Sequence, residues 1–247
     1  MSVPKVLFLD IETAPNLSWV WGRWEQNVID VHTQWYMLSF AWKWQGGKKT
    51  ECLALPDFYH TYAKNKENDK ALLLFLWDLL DQADVVIAHN GDAFDLKKIA
   101  ARLLFHKINP PSPYKTFDTL KAARRFFKID SNRLDDLGAY LGVGRKLPHT
   151  GKHLWFDCMA GKPTAWKMMK RYNGHDVDLL EQVYERLKPW ATSHPDLSIY
   201  TFHSGVVCPT CQSNHVWRRG TYFARKLEYQ QWTCRDCGHW FHGERIK

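Results

Sequence analysis

The sequence predicts an α/β protein, in which an antiparallel start is followed by alternating helices and strands and by a small cysteine-rich module. Strand-like segments occur early, at Val6 to Thr13, Trp35 to Gln45 and Lys48 to Leu55, and the last two are joined by a Gly-Gly turn. From Lys70 onward, helical periodicity alternates with short apolar runs. Two Cys-x-x-Cys pairs then fall within the last 40 residues, a spacing typical of metal ligation.

Length and composition limit the class of protein. The chain has 247 residues, enough for one good core with a small appendage or for two modest domains. Its formal charge of +8 would attract polyanions and its 13 tryptophans could stack on bases, although a basic surface that only aids solubility explains the charge equally well. The longest apolar run, Ala71 to Trp77, is too short to span a bilayer, and no signal-peptide pattern is present. We therefore expect an intracellular protein without a membrane partner.

Two carboxylates, Asp10 and Glu12, follow the apolar start of the first strand. Residues two apart on a strand point to the same face, so these side chains should project together and repel each other. A hard divalent cation such as Mg²⁺ or Mn²⁺ would remove that repulsion, because it takes oxygen ligands. A strand that simply ends in solvent is the competing explanation.

An aromatic segment, residues 19–27, follows this pair directly in sequence. Its rings could stack on a terminal base of a bound strand, or they could pack into the core. On the first hypothesis the candidate substrate-binding residues are Thr13, Trp21, Trp24 and, from a later turn, Asn90.

A second acidic signal lies in the middle of the chain. A helix is predicted over Lys70 to Gln82 and a buried strand over Asp84 to Ala88, followed by a turn and a helix that runs to about Lys107. Asp95 would lie in the first turns of that helix, near the strand end where ligands gather in open sheets. A carboxylate that complements the helix dipole is the simpler explanation for Asp95, and Asn90 suits a turn or a cap.

The next stretch predicts a short strand at Tyr114 to Phe117, a basic helix at Asp118 to Phe127 capped by Asp118, and a helix at Leu134 to Leu141. Residues 145–161 are expected to be irregular. This stretch, which contains Lys146 and His149, would cover a substrate cleft.

A third signal is the pair Tyr172 and Asp176, which share a face if the helical pattern starting at Thr164 continues to Leu187. Gly174 between them is expected to weaken that helix.

These acidic residues and Tyr172 resemble the DEDD superfamily of 3′–5′ exonucleases, in its tyrosine subgroup. The residue types, their order along the chain and the strands or helices predicted to carry them all agree with that pattern. The resemblance covers residues 3–188. The histidine subgroup would need a histidine at position 171, which is Arg171.

The resemblance implies a ribonuclease H-like fold with a mixed five-stranded sheet flanked by helices. It also implies two Mg²⁺ or Mn²⁺ ions held by Asp10, Glu12, Asp95 and Asp176. Asp10 would bridge both ions, Asp95 would bind partly through water, and Tyr172 would orient the attacking water. The implied reaction shortens nucleic acid from its 3′ end to nucleoside 5′-monophosphates.

The implied substrate is nucleic acid, with single-stranded DNA or an unpaired 3′ end favoured over RNA by a narrow margin. Two other functions remain open at this stage. One is an inactive nucleic-acid-binding protein, and the other is a ribonuclease H-like endonuclease. A bacterial or phage-encoded enzyme would suit the small size.

The C-terminal cysteines resemble a zinc ribbon that binds one structural Zn²⁺ through Cys208, Cys211, Cys234 and Cys237. The expected division is a catalytic domain over 1–190, a linker over 191–204 and the ribbon over 205–247. The ribbon is also expected to contact nucleic acid, although a protein partner is the alternative. The residues expected to make this contact are Trp217, Arg218, Arg219, Tyr222, Arg225, Lys226 and Trp232.

Overall fold

The computed structural model describes residues 3–22, 24 and 27–246. Within these residues the strands are β1 (Val6–Thr13), β2 (Leu17–Trp19), β3 (Asp30–Thr33), β4 (Met37–Trp44), β5 (Glu51–Ala54), β6 (Val85–Ala88), β7 (Lys115–Asp118), β8 (Val216–Ala224), β9 (Leu227–Cys234) and β10 (Trp240–Arg245). The α-helices are α1 (Tyr59–Lys64), α2 (Lys70–Gln82), α3 (Asp95–Phe105), α4 (Thr119–Phe126), α5 (Leu134–Tyr140), α6 (His153–Met159) and α7 (Pro163–Leu187).

The central sheet has five strands in the order β5-β4-β1-β6-β7. Strands β1, β4 and β5 pair antiparallel, whereas β6 pairs parallel with both β1 and β7. The predicted antiparallel start and the mixed five-stranded sheet are therefore confirmed. The four residues of β6 are all buried, as expected for a short apolar run inside a parallel pair.

Alternation along β1 divides the core into two layers. Leu7 and Leu9 pack with α2, α3 and α6 on one side of the sheet, while Phe8 packs with α4, α5 and the C-terminal half of α7 on the other. Because strand side chains alternate with a period of two, Asp10 and Glu12 emerge on the same side as Phe8. That side faces α7.

Helix α7 runs for 25 residues and passes through Gly174 without a break. Gly174 does not interrupt the helix, because packing of α7 on β1, β4 and β5 outweighs the low helix propensity of one glycine. The irregular structure expected over residues 145–161 is partly wrong, since α6 occupies most of its second half. Leu154 and Cys158 of α6 are buried, and this burial stabilises a helix too short to persist alone.

The aromatic segment lies in sequence between β2 and β3, which pair antiparallel. Trp21 and Trp24 lie beyond β2 with 91% and 79% of their surface exposed, so packing of these two rings into the core is excluded. Residues 23, 25 and 26 of the segment lie outside the described part of the chain.

The C-terminal module is a three-stranded antiparallel sheet in the order β10-β9-β8. Its third strand, β10, was not expected from the sequence. The segment expected to be a linker packs on the main core, because Ala191 and Leu197 are buried in the layer beneath α7. The amide of Leu197 donates to the carbonyl of Pro209, 2.7 Å away, and His239 Nδ1 donates to the carbonyl of Pro189, 2.9 Å away. Across the described residues, the structure contains no helix with the length and apolarity needed to traverse a bilayer.

Candidate catalytic site

Three carboxylates converge where β1 ends against α7. Ligand oxygens of Asp10, Glu12 and Asp176 all lie within 4.8 Å of one another. Asp10 and Glu12 are partly exposed, whereas Asp176 is buried. The period of two along β1 places Asp10 and Glu12 on the side of the sheet that faces α7. Asp176, far away in sequence, lies on the side of α7 that faces them.

Asp95 lies beside this trio, at the start of α3. It is buried, and its Oδ1 accepts a hydrogen bond of 3.1 Å from the amide of Ile11, the residue between Asp10 and Glu12. This bond joins the start of α3 to the end of β1. One Asp95 oxygen is therefore held by the backbone, while its charge still acts on Asp10.

Burial and mutual repulsion change the acidity of these groups. Burial, followed by the charges of Asp95, Glu12 and Asp176, raises the pKa of Asp10 well above its ordinary value. Burial and then Asp176 raise the pKa of Glu12 to about 8, and burial raises the pKa of Asp95 to about 7. Negative charge at this site therefore needs a compensating cation.

An unpaired carboxylate oxygen is a second feature of the site that fits a divalent cation. The Oδ1 atom of Asp176 is buried and has no hydrogen-bond partner among the residues that the structure describes. A buried polar atom without a partner is costly, and an oxygen-only donor set is what Mg²⁺ and Mn²⁺ prefer. Asp10, Glu12 and Asp176 together therefore suit such an ion.

Lys146 enters the site from the segment between α5 and α6. Its Nζ donates to Asp176 Oδ2 at 2.6 Å and to the Tyr172 hydroxyl at 3.1 Å, while its backbone amide donates to Asp135 Oδ1 at 2.7 Å. Burial lowers the pKa of Lys146, but attraction by Asp176 and Asp10 outweighs it and raises the pKa overall. Lys146 is therefore a fixed positive charge. From the sequence, Lys146 was expected only in a stretch that covers a substrate cleft, and no role was assigned to it.

Tyr172 is buried under a small group of rings. The centroid of His149 lies 4.7 Å from its ring and that of Trp155 lies 6.1 Å away. Burial and then the charge of Asp176 raise the pKa of Tyr172, so its hydroxyl stays protonated. Trp155, on the helix α6 that sequence reasoning missed, also donates from Nε1 to Glu12 Oε2 at 3.0 Å.

Asn173 fixes the orientation of Asp10. Its Nδ2 donates to Asp10 Oδ2 at 2.6 Å, and its Oδ1 accepts from Ser39 Oγ at 3.0 Å. Asn173 is fully buried, and its bond with Ser39 is buried as well. Its place next to Tyr172 was the only signal in the sequence, and a lone asparagine on a helix carries little information.

A family model for the RNase H superfamily matches residues 7–188, which includes all of these acidic residues. The chain belongs to the RNase H superfamily. Among curated proteins, none matches the sequence significantly.

The fold of this RNase H superfamily chain is similar to that of a family B DNA polymerase from the hyperthermophilic archaeon Pyrobaculum calidifontis. The TM-score is 0.56 at 17% sequence identity, and the match covers 75% of this chain. The chain spans only 25% of the polymerase, and at this identity the similarity concerns the fold alone.

The candidate substrate-binding residues lie in different surroundings. Thr13 Oγ1 accepts a bond of 2.9 Å from Lys98 Nζ at the end of β1. Asn90 adopts a φ of 64°, and its amide donates to Asp118 Oδ1 at 2.9 Å. Asn90 also lines a polar cavity of about 640 Å³ that reaches Lys146. Trp21 and Trp24 remain in the exposed segment between β2 and β3.

The four cysteines of the C-terminal module come together at one point. The sulfurs of Cys208 and Cys237 are 3.6 Å apart, as are those of Cys211 and Cys234, and all four lie within 4.8 Å. A tetrahedral zinc site with Zn–S bonds of about 2.3 Å places its sulfurs about 3.8 Å apart. The cluster therefore fits Zn²⁺.

Proposed function

We propose that the protein is a metal-dependent 3′–5′ exonuclease of the DEDD type, in its tyrosine subgroup. It would hydrolyse nucleic acid, with single-stranded DNA preferred, and release nucleoside 5′-monophosphates. The observation that carries the proposal is the convergence of Asp10, Glu12 and Asp176 within 4.8 Å, with Asp95 beside them. The protonated Tyr172 hydroxyl, linked through Lys146 to Asp176, completes the set.

Asp10, Glu12 and Asp176, with Asp95 next to them, are the residues that would hold two Mg²⁺ or Mn²⁺ ions. When bound, such ions neutralise charge at the scissile phosphate and favour attack by water. Asn173 holds Asp10 in place and Trp155 holds Glu12, so the ligand oxygens are oriented before a substrate arrives.

Tyr172 and Lys146 would act on the substrate side. A phenol whose pKa is raised is a poor base, so Tyr172 would orient the attacking water through its hydroxyl. Lys146 carries a positive charge next to the metal ligands, where negative charge develops during phosphodiester cleavage. Neither residue needs to gain or lose a proton in this role.

The substrate strand would leave the site along the cavity that Asn90 and Lys146 line. Arg124 and Arg133 lie on the same cavity wall and would contact phosphates. Thr13, at the end of β1, would contact the terminal nucleotide. Trp21 and Trp24 would stack on a base at the strand end.

The cysteine cluster would hold one structural Zn²⁺ in a C-terminal ribbon. Three strands with few buried residues cannot form a stable core alone, so the metal would contribute much of the folding energy of this module. On this proposal the catalytic domain covers residues 1–190 and the ribbon covers residues 205–247, and the connecting segment 191–204 packs on the catalytic domain through Ala191 and Leu197.

One nuclease assay tests the function. Oligonucleotides of DNA and RNA labelled at the 5′ end, and circular single-stranded DNA, would be incubated with Mg²⁺ or Mn²⁺. We expect a ladder that shortens from the 3′ end and leaves the circles intact. Asp10→Asn should abolish the ladder without loss of fold by circular dichroism.

The other outcomes are distinct. Nicked circles would replace the proposal with an endonuclease. Binding without any cleavage, in protein loaded with metal, would replace it with an inactive nucleic-acid-binding protein. Full-rate digestion by the Asp10→Asn protein would refute the assignment of the site.

A further inference from the structure

The sheet of the C-terminal module has two unlike faces. Thr233 of β9 is paired with Trp217 of β8 and with Trp240 of β10, so both tryptophans lie on one face. On the opposite face, Phe241 packs against Cys208 and Cys234, with Trp232 beside it. Trp232 was expected to contact nucleic acid, but it belongs to this small interior.

The face that carries Trp217 and Trp240 is aromatic and exposed. The strand register places three more side chains on this face. Tyr222 and Tyr229 are paired with each other, and His242 is paired with Gln231. We call these five residues, Trp217, Tyr222, Tyr229, Trp240 and His242, the aromatic face. Trp217 is 44% exposed and Trp240 is 50% exposed. The rings of Tyr222 and His242 are stacked with centroids 3.7 Å apart.

Two arginines lie against one of these rings, Trp217. The guanidinium of Arg235 lies 3.6 Å from the centroid of the Trp217 ring, and that of Arg219 lies 5.3 Å away. Residues 205–246 contain six arginines and lysines but three acidic residues. One of those acids, Asp236, is engaged by Ser213 and His215. The surface therefore combines partly exposed rings with guanidinium groups held beside Trp217.

We propose that the aromatic face is a second binding site for single-stranded nucleic acid. Bases would stack on the exposed rings, because every base offers a π-face, and Arg219 and Arg235 would contact the phosphates. A protein partner would instead be expected to bury an apolar patch with few charges at its centre. The excess of cations around Trp217 favours the polyanion.

The module is attached to the catalytic domain at a fixed place. The bonds from Leu197 to Pro209 and from His239 to Pro189 join it to the segment after α7. A strand held by the aromatic face therefore stays close to the rest of the protein between cleavage events. The binding proposal does not depend on the proposed activity, since it concerns a surface outside the acidic cluster.

Binding of fluorescent oligo(dT) to the full-length Asp10→Asn protein tests this proposal, because that background prevents digestion. Lengths from 6 to 40 nucleotides would be titrated by anisotropy between about 50 and 300 mM salt. We expect Trp217→Ala and Tyr222→Ala each to weaken binding of long strands roughly 5- to 100-fold. Arg235→Gln should reduce the slope of log affinity against log salt by about 0.7.

Two further variants make the test specific. Trp217→Phe keeps an aromatic ring and should retain most of the affinity. Phe202→Ala removes a ring that is 90% exposed but lies outside the aromatic face, and it should bind like the parent protein. Bound zinc and circular dichroism would show that the variants are folded. Affinity equal to the Phe202→Ala control in both alanine variants, together with an unchanged salt slope in Arg235→Gln, would overturn the proposal and leave a protein partner as the alternative.

Discussion

Lys146 Nζ lies 2.6 Å from Asp176 Oδ2, so a positive side chain already touches a carboxylate that would hold a metal ion. The same ammonium group donates to the Tyr172 hydroxyl. Lys146 therefore has two opposing effects on the site. It competes with metal ions for Asp176, and it holds Tyr172, the residue proposed to orient the attacking water. These two effects can be separated by mutation.

Lys146→Met should lower kcat roughly 100-fold, because a preorganised positive charge beside the reacting phosphate is lost. The same change should lower the Mn²⁺ concentration needed for half-maximal thermal stabilisation, since the competing cation is gone. Steady-state kinetics and metal titration by scanning fluorimetry measure the two effects. Lys162→Met, which removes a surface pair with Asp157, is the matched control and should change neither quantity. A loss of both activity and metal affinity would contradict this account of Lys146.

Asp10→Asn should raise the melting temperature of the metal-free protein by about 2–4 °C, as expected for about 1 kcal/mol of relieved repulsion in a chain of this size. The physical reason is that Asp95, Glu12 and Asp176 all repel the Asp10 charge. Stabilisation by added Mn²⁺ should be lost in this variant. Asp57→Asn, a surface carboxylate paired with Lys170, should keep the Mn²⁺ response. An unchanged Mn²⁺ shift in Asp10→Asn would show that the trio does not bind the ion.

His194 should make the protein sensitive to mild acid. Its Nδ1 donates to the carbonyl of Pro195 and its Nε2 accepts from the Tyr184 hydroxyl, each at 2.7 Å, so the ring is neutral. Burial lowers the pKa of His194 to about 4 from 6.5. The unfolded chain therefore binds more protons between these values, and stability falls as the pH drops from 6.5 towards 4.

Between pH 7 and pH 5, His194 should cost about 2 kcal/mol of stability. Urea denaturation of the wild type and of His194→Gln at both pH values would measure this. We expect the variant to be less stable at pH 7 but to lose less on acidification. His89 and His242, whose pKa values burial also lowers, add a dependence of the same sign, whereas the raised pKa values of Glu12 and Asp95 add one of the opposite sign. Equal losses in the two proteins would mean that His194 does not stay neutral in the fold.

Two helical glycines should respond in opposite ways to alanine. At Gly174, in α7, a Cβ atom would meet only Thr50 Cγ2 at an ordinary 3.9 Å. Gly174→Ala should therefore stabilise the protein by about 0.5–1 kcal/mol. At Gly138, in α5, a Cβ atom would lie 2.6 Å from the carbonyl oxygen of Gly144, and Gly138→Ala should destabilise by about 1–3 kcal/mol. Thermal melts of both variants check the pair, and a destabilising Gly174→Ala would show that this position needs glycine for another reason.

Much of the fold followed from periodicity. The apolar start of Val6 to Thr13 and the spacing of Tyr172 and Asp176 are local properties, so they placed the acidic residues correctly on β1 and α7. The antiparallel start and helix α2 were confirmed for the same reason.

The supporting residues could not be found in this way. Lys146 reaches Asp176 from an irregular segment, and Trp155 reaches Glu12 across 143 positions, so their contacts exist only after folding. Helix α6 has seven residues and depends on burial of Leu154 and Cys158 rather than on its own propensity. Tertiary packing, which local sequence patterns do not report, determines all three.

The packing of Ala191, His194 and Leu197 beneath α7 has a practical consequence for preparing the RNase H-like domain in isolation. A polypeptide cut after residue 190 would remove His194, the hydrogen-bond partner of the Tyr184 hydroxyl. It would also expose apolar side chains at the C-terminal end of α7, the helix that bears Asp176. The minimal autonomous piece should therefore extend at least to Leu197.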